Sequence, residues 1–167
     1  MILVLLGTHP QPMDRVVRMA DRMATDGERV IIQAAAYELQ PTRAEGRGIL
    51  DQTTLDALIS EARAVVTHGG PGTIMGVLAR GKVPFVIARR PDLGEHVDDH
   101  QIRFVTWLRH RHPIVAVDDL DQLPRLIRER SSRFVAAPAG AGAASVVARR
   151  LEEIVRAGTT KDERVGT

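Results

Sequence analysis

Short apolar runs alternate along this chain with stretches whose apolar residues recur at helical spacing. Ile2 to Leu6 is apolar throughout and stops at Gly7, which predicts a strand buried on both faces. A loop with two prolines follows. From Met13 the positions Val16, Val17, Ala20, Met23 and Ala24 keep helical spacing until Gly27 ends the helix. Arg29 to Gln33 predicts a second strand. Residues 34–52, broken by Pro41, Gly46 and Gly48, carry a weaker signal, with a short third strand expected near Ile49 and Leu50. Beyond them the pattern predicts a helix over 53–62, a strand over 64–67 and a helix over 73–79 stopped by Gly81. A strand over 83–88, a helix over 100–108 and a strand over 114–117 come next. Another helix starts near Asp121, with Pro124 acceptable in its first turn. The small-residue linker AAPAGAGAAS (136–145) then precedes a last helix marked by Val147, Leu151 and Ile154 and ended by Gly158.

Strands that are apolar on both faces and alternate with helices predict an α/β fold, a Rossmann-like parallel sheet with helices on both faces. One domain over 1–157 and a flexible tail over 158–167 account for the pattern. In such sheets ligands bind in the crevice beyond the carboxyl ends of the strands. Two glycine-bearing turns fall at that edge: GTHPQP (7–12) after the first strand and HGGPGT (68–73) after the fourth.

Composition removes several function classes. Hydrophobic residues at 44% and charged residues at 26% are the balance of a soluble globular domain. The absence of cysteine excludes disulfides and thiolate metal sites and fits a reducing, cytoplasmic compartment. No apolar run approaches the roughly 18 residues of a membrane span. The opening MILVLLG is too short for a signal sequence and lacks its basic start. A net charge of +2 with 3% aromatic residues speaks against a nucleic-acid partner, for want of both charge excess and stacking surfaces. The cluster RHRH (109–112) reads as a solvated helix end.

The chemistry gathers at the two turns and one further segment. A helix N-terminus presents unpaired N–H groups and partial positive charge, so it favours anions. In HGGPGT the glycines Gly69, Gly70 and Gly72 let the backbone approach phosphate oxygens, and Thr73 adds a hydroxyl. His68, at the strand end, can donate a hydrogen bond or carry charge. The plainer alternative is that these glycines only shape a tight turn. The segment GEHVDDHQ (94–101) gathers Glu95, His96, Asp98, Asp99, His100 and Gln101, a density of donors and acceptors that suits sugar hydroxyls. His96 and His100 stand four apart, as zinc ligands do, with carboxylates between them. With no HExxH motif and no evident third ligand, no metal is expected. Asp98 or Asp99 is expected to cap the next helix.

Together, HGGPGTIMGVLARGKVPFVIARRPDLGEHVDDHQ (68–101) and GTHPQPMDR (7–15) resemble the glycosyltransferase family 28 C-terminal domain. The likeness is to small stand-alone donor-binding subunits of the PssE type, and it covers about residues 1–155. The resemblance implies one half of a GT-B glycosyltransferase that binds a nucleotide-sugar, a UDP-sugar by analogy, as substrate and needs no cofactor. It implies that His68, Gly69, Gly70, Gly72 and Thr73 hold the donor diphosphate, with Gly7, Thr8 and His9 facing the same phosphates. Glu95, His96, Asp99, His100 and Gln101 would meet the sugar, and Ile49 and Leu50 the uracil. The acceptor half, with the general base, would be a separate membrane-associated subunit that holds this chain at the inner membrane face. The transferase would act in polysaccharide or lipid-linked glycan synthesis. One departure is Gly76, where many relatives carry a ribose-binding carboxylate.

A half-enzyme should expose an apolar patch for its partner and can self-associate without it, which makes Trp107, Leu108 and the last helix candidates. Two rivals remain at this stage. Gly70, Gly72 and Gly76 spell G-x-G-x-x-x-G and Arg89–Arg90 follow the next strand, as in an NADP-binding oxidoreductase. The other rival is a regulatory subunit that binds a partner and no donor.

Overall fold

The computed structural model describes residues 1–130 apart from Asp26 and Tyr37; the expected linker, last helix and tail lie outside the described residues. Among the described residues, β1 (Ile2–Leu5), β2 (Val30–Gln33), β3 (Glu45–Arg47), β4 (Ala64–His68), β5 (Phe85–Ile87) and β6 (Val115–Ala116) form one sheet. All its pairings are parallel, in the order β3-β2-β1-β4-β5-β6. The helices are α1 (Asp14–Met23), α2 (Gln52–Glu61), α3 (Pro71–Ala79), α4 (His100–Leu108) and α5 (Leu123–Arg130). The expected Rossmann-like α/β fold is therefore present.

The two-residue period of a strand sorts its side chains onto two helical layers. Ile2, Val4, Val30, Ile32, Val66, Phe85 and Ile87 pack with Val16, Val17 and Ala20 of α1 and Leu123 and Ile127 of α5. On the opposite face Leu3, Leu5, Ile31 and Val65 meet Leu58 and Ile59 of α2 and Val77 of α3. Val86 continues that face, with Ile74 and Leu78 of α3 and Phe104, Val105 and Leu108 of α4. Burial on both faces explains why the central strands read as continuous apolar runs.

Several expectations shift. The third strand is Glu45–Arg47, not the vicinity of Ile49 and Leu50. As the outermost strand it pairs on one side only, so its polar sequence is tolerated. Asp51 caps α2 by accepting from Thr54 N–H at 2.9 Å, which leaves Ile49 70% exposed in the connecting loop and Leu50 half-buried. Helix α3 begins at Pro71 rather than Thr73, because proline at the first helical position loses no hydrogen bond. Leu108 is fully buried and therefore cannot form part of an apolar docking patch, while Trp107 is half-buried beneath the Arg111 guanidinium.

Asp21 of α1 secures the approach to β3. Its Oδ1 accepts from the N–H groups of Thr42, Arg43 and Ala44 at 2.9, 2.7 and 2.8 Å, and its Oδ2 from the Thr42 hydroxyl at 2.8 Å. These bonds outweigh desolvation and hold the carboxyl at about 2. A carboxyl depressed in the native state stabilises it above the unfolded value of 3.8, and that contribution disappears as pH falls towards 2. Asp21→Asn is predicted to cost about 1–3 kcal/mol at neutral pH and to flatten this acid limb, as read from urea unfolding across pH.

Candidate functional site

Strand order reverses between β1 and β4, the place where a doubly wound sheet opens a crevice at its carboxyl edge. Leu5 of β1 stands in register with Thr67 of β4, so the turns beginning at Gly7 and at His68–Gly69 leave the sheet side by side. His68 occupies the space between them. Its Nδ1 donates to Leu5 O at 3.3 Å, which leaves Nε2 as the unprotonated nitrogen of the neutral ring. Burial, with the Arg89 charge as a secondary cause, holds this imidazole down at about 4.

Two of the glycines are explained by that ring. A Cβ at Gly70 would lie 2.1 Å from His68 Nε2, although the backbone there (φ −75°) suits any residue. At Gly7 a Cβ would lie 2.6 Å from Cε1, and the positive φ of 80° independently favours glycine. Gly69 is crowded by a different neighbour, since its Cβ would lie 3.0 Å from Gln101 Cβ. Gly72 is exposed, with open space where a side chain would project. No side chain caps α3, and Pro71 brings no N–H, so the amides of Gly72 and Thr73 are the donors at this helix end.

The residue that ties the crevice together is Arg89, only 1% exposed, just beyond β5. Its guanidinium donates to Leu6 O at 2.8 Å and Glu95 O at 3.0 Å, and also to Gln11 O. Its Nε has no partner, and neither do the nearby buried Thr67 Oγ1 and Gln11 Oε1. Glu95, also buried, receives both arms of Arg15 at 2.8 and 2.9 Å and the N–H of Arg90 at 3.0 Å. Gln101 is buried and accepts from Arg89 N–H at 3.2 Å. Two guanidiniums and one carboxylate leave this buried cluster with net positive charge, next to the α3 amides.

Of the residues expected to meet a donor, His9, His68, His96 and His100 come together. The His9 and His96 rings lie 4.7 Å apart and those of His96 and His100 4.5 Å apart. Burial lowers the pKa of His9, with Arg89 and His100 adding to it. His96 is lowered by burial first and by His100 second. Thr8 is exposed on the same turn. Asp99 is exposed and pairs with Arg103 at 3.0 Å. The N-cap position of α4 is Asp99, whose side chain makes no capping bond; one residue earlier, Asp98 Oδ1 accepts from His100 N–H at 3.1 Å. Gly7 N–H is engaged by Gln33 Oε1 at 3.3 Å. Ile49 and Leu50 lie at the carboxyl edge too, but beyond β3, two strands from β1. At Gly76, in place of a carboxylate, the Arg80 guanidinium donates to Gly76 O at 2.7 Å and pairs with Asp56.

The sequence pattern did not reveal Arg15, Gln33 or the clamping role of Arg89. The available signal is an arginine ending the apolar run FVIAR, which from sequence alone resembles a 2′-phosphate grip. Arg89 is committed to main-chain carbonyls, while Arg90 is exposed and paired with Asp92.

The sequence model of the glycosyltransferase family 28 C-terminal domain matches residues 1–129, three-quarters of the chain. The chain belongs to this family. Its fold is similar to that of the glycosyltransferase of kitacinnamycin, at 23% identity and a TM-score of 0.53, covering 99% of this chain and 43% of that one. It is similar also to the spinosyn forosaminyltransferase SpnP, at 18% identity and a TM-score of 0.55, covering 91% of this chain and 39% of that one. The chain thus spans less than half the length of either enzyme. At these identities the likeness establishes the shared GT-B half-fold. Among curated proteins none matches significantly.

Two outcomes follow from the histidine's enclosure. As pH falls from 6.5 to about 4, the unfolded chain takes up a proton that buried His68 refuses, so stability declines. The loss approaches about 3 kcal/mol at the acid end, and His68→Gln should lack it in denaturant titrations across that range. Gly70→Ala should cost about 1–3 kcal/mol by overpacking, and far less in a His68→Ala background. A double-mutant cycle in urea measures that coupling, and additive losses would place the ring elsewhere.

Proposed function

We propose that this chain is the donor-binding subunit of a two-component inverting glycosyltransferase that uses a UDP-sugar. The observation that carries the proposal is the meeting of three features at one crevice: the His68 imidazole, the uncapped amino end of α3 and the buried positive charge around Arg89. A diphosphate suits that combination, because fixed amides and charge stabilise the negative charge that develops on the leaving group. Gly72 and Thr73 supply amides, and Thr8 and His9 approach from the β1 turn. His96, Asp99 and His100 stand within reach of the sugar hydroxyls. Glu95 and Gln101, both buried, serve by fixing the 91–101 segment. Ile49 and Leu50 border the uracil at the outer end of the same edge.

His68 has a defined part in this proposal. Its Nδ1 is held by Leu5 O, so only a protonated Nε2 can donate to a phosphate. An arriving diphosphate raises the imidazole's proton affinity by its charge. Donor binding at neutral pH therefore takes up a proton.

The general base that removes the acceptor's proton belongs to a partner chain. In support, among the described residues the crevice carboxylates all have a cation or N–H partner: Glu95 is bound by Arg15, Asp98 by His100 and Asp99 by Arg103. Leu93, Val97 and Ile102 are exposed on the segment that flanks the crevice, an apolar surface suited to an acceptor-binding subunit. That partner would bring the chain to the membrane. Among the described residues no helix is long and apolar enough to cross one. An NADP-dependent reaction has less support, since the glycine turn follows β4 and not β1 and Arg89 is enclosed.

Calorimetric titration of UDP and UDP-sugars tests the proposal. Binding should be accompanied by proton uptake, seen as a dependence of the heat on the buffer's ionisation enthalpy. His68→Ala should weaken it by about ten- to a hundredfold with an unchanged circular dichroism spectrum. Equal affinity in the variant, or binding of NADPH that UDP does not displace, would reject the donor site.

A further inference from the structure

We propose that His96, Asp98 and His100 form a binding site for a divalent transition metal of the zinc class at the lip of the crevice. The site shares His96 and His100 with the proposed sugar contacts, and titration with metal alone, without nucleotide, tests it separately from the UDP-sugar reading. The sequence, with no HExxH motif and no evident third ligand, gives no reason to expect a metal; the fold brings the Asp98 carboxylate, which lies between the two histidines, into range of both rings. One ring nitrogen from each histidine and one oxygen of Asp98 lie within 4.8 Å of one another. In a tetrahedral zinc site donor atoms stand about 3.4 Å apart, so small side-chain rotations close the set. Asp98 Oδ1 is already the point of convergence: His96 Nδ1 lies 3.4 Å from it, and His100 Nδ1 is bonded to it.

The surroundings hold these ligands in place. Gly94, at a φ of 71°, turns the chain back after the short Pro91–Leu93 helical turn. Glu95, fixed by Arg15 and by Arg90 N–H, anchors the segment on one side. Helix α4 begins at His100 and anchors it on the other. The His96 ring is wedged between those of His9 and His100, so its orientation is set by packing. Ligands supported in this way bind metal more tightly than ligands on a free loop. Two imidazoles and one carboxylate suit zinc, cobalt or nickel, whereas magnesium and calcium prefer oxygen donors alone. Three protein ligands leave coordination positions for water or for an oxygen of a bound molecule.

The test is titration of the full chain, freed of metal, with Co²⁺ followed by visible absorption and with Zn²⁺ by calorimetry. One equivalent should bind, producing the intense visible bands of low-coordinate cobalt, and excess Mg²⁺ should not displace it. Asp98→Asn, at an exposed position, and His100→Ala should each weaken binding by about tenfold or more, with folding checked by circular dichroism. The double variant His110→Ala/His112→Ala removes the histidines of the basic cluster and should bind as the unmodified chain does. Absent binding, binding undiminished by Asp98→Asn and His100→Ala, or loss confined to the His110/His112 variant would each overturn the assignment.

Discussion

The crevice depends on one enclosed guanidinium. Arg89 gathers main-chain carbonyls from the turn after β1 and from the loop before α4, segments separated by some eighty residues of sequence. A charge so deeply placed is costly unless its N–H groups are satisfied. Three carbonyls accept from its terminal nitrogens, and the nearby Glu95 carboxylate, itself held by Arg15, offsets part of the charge. The consequence is geometric as much as electrostatic. Were the guanidinium lost, three inward-facing carbonyls would lack donors, and the two loops that form the crevice walls would have no common support.

The same charge shapes the chemistry. Burial first, and the Arg89 charge besides, disfavour the charged forms of His9, His68 and His96. An anion entering there meets donors that are already oriented and can also recruit protons to them. This is the electrostatic preorganisation expected where negative charge must leave a reacting centre. The proposed diphosphate site draws on this electrostatic setting.

The sheet was legible because its strands are covered on both faces, and an uninterrupted apolar run has few other meanings. Gly7 and HGGPGT located the crevice, since a parallel sheet fixes which end of each strand binds. β3 was misplaced for a physical reason: an edge strand needs no apolar face, so Glu45–Arg47 looks like loop while the exposed Ile49 imitates a core residue. Leu108, four residues after Phe104, shares its buried helical face, so the core claims it rather than a docking patch. The clamp was invisible for another reason. Glu95 and Gln101 are polar residues that work from inside, and a sequence does not distinguish a carboxylate facing a ligand from one facing Arg15.

The enclosure of His68 bears on how related chains diverge. Position 70 is glycine because of a neighbour, and position 7 is glycine because of its own backbone as well. A lineage that replaced the imidazole with a small side chain would free position 70 to vary, while position 7 stayed constrained by its left-handed geometry. Joint substitution at 68 and 70 is therefore the signature of a descendant that has abandoned this histidine.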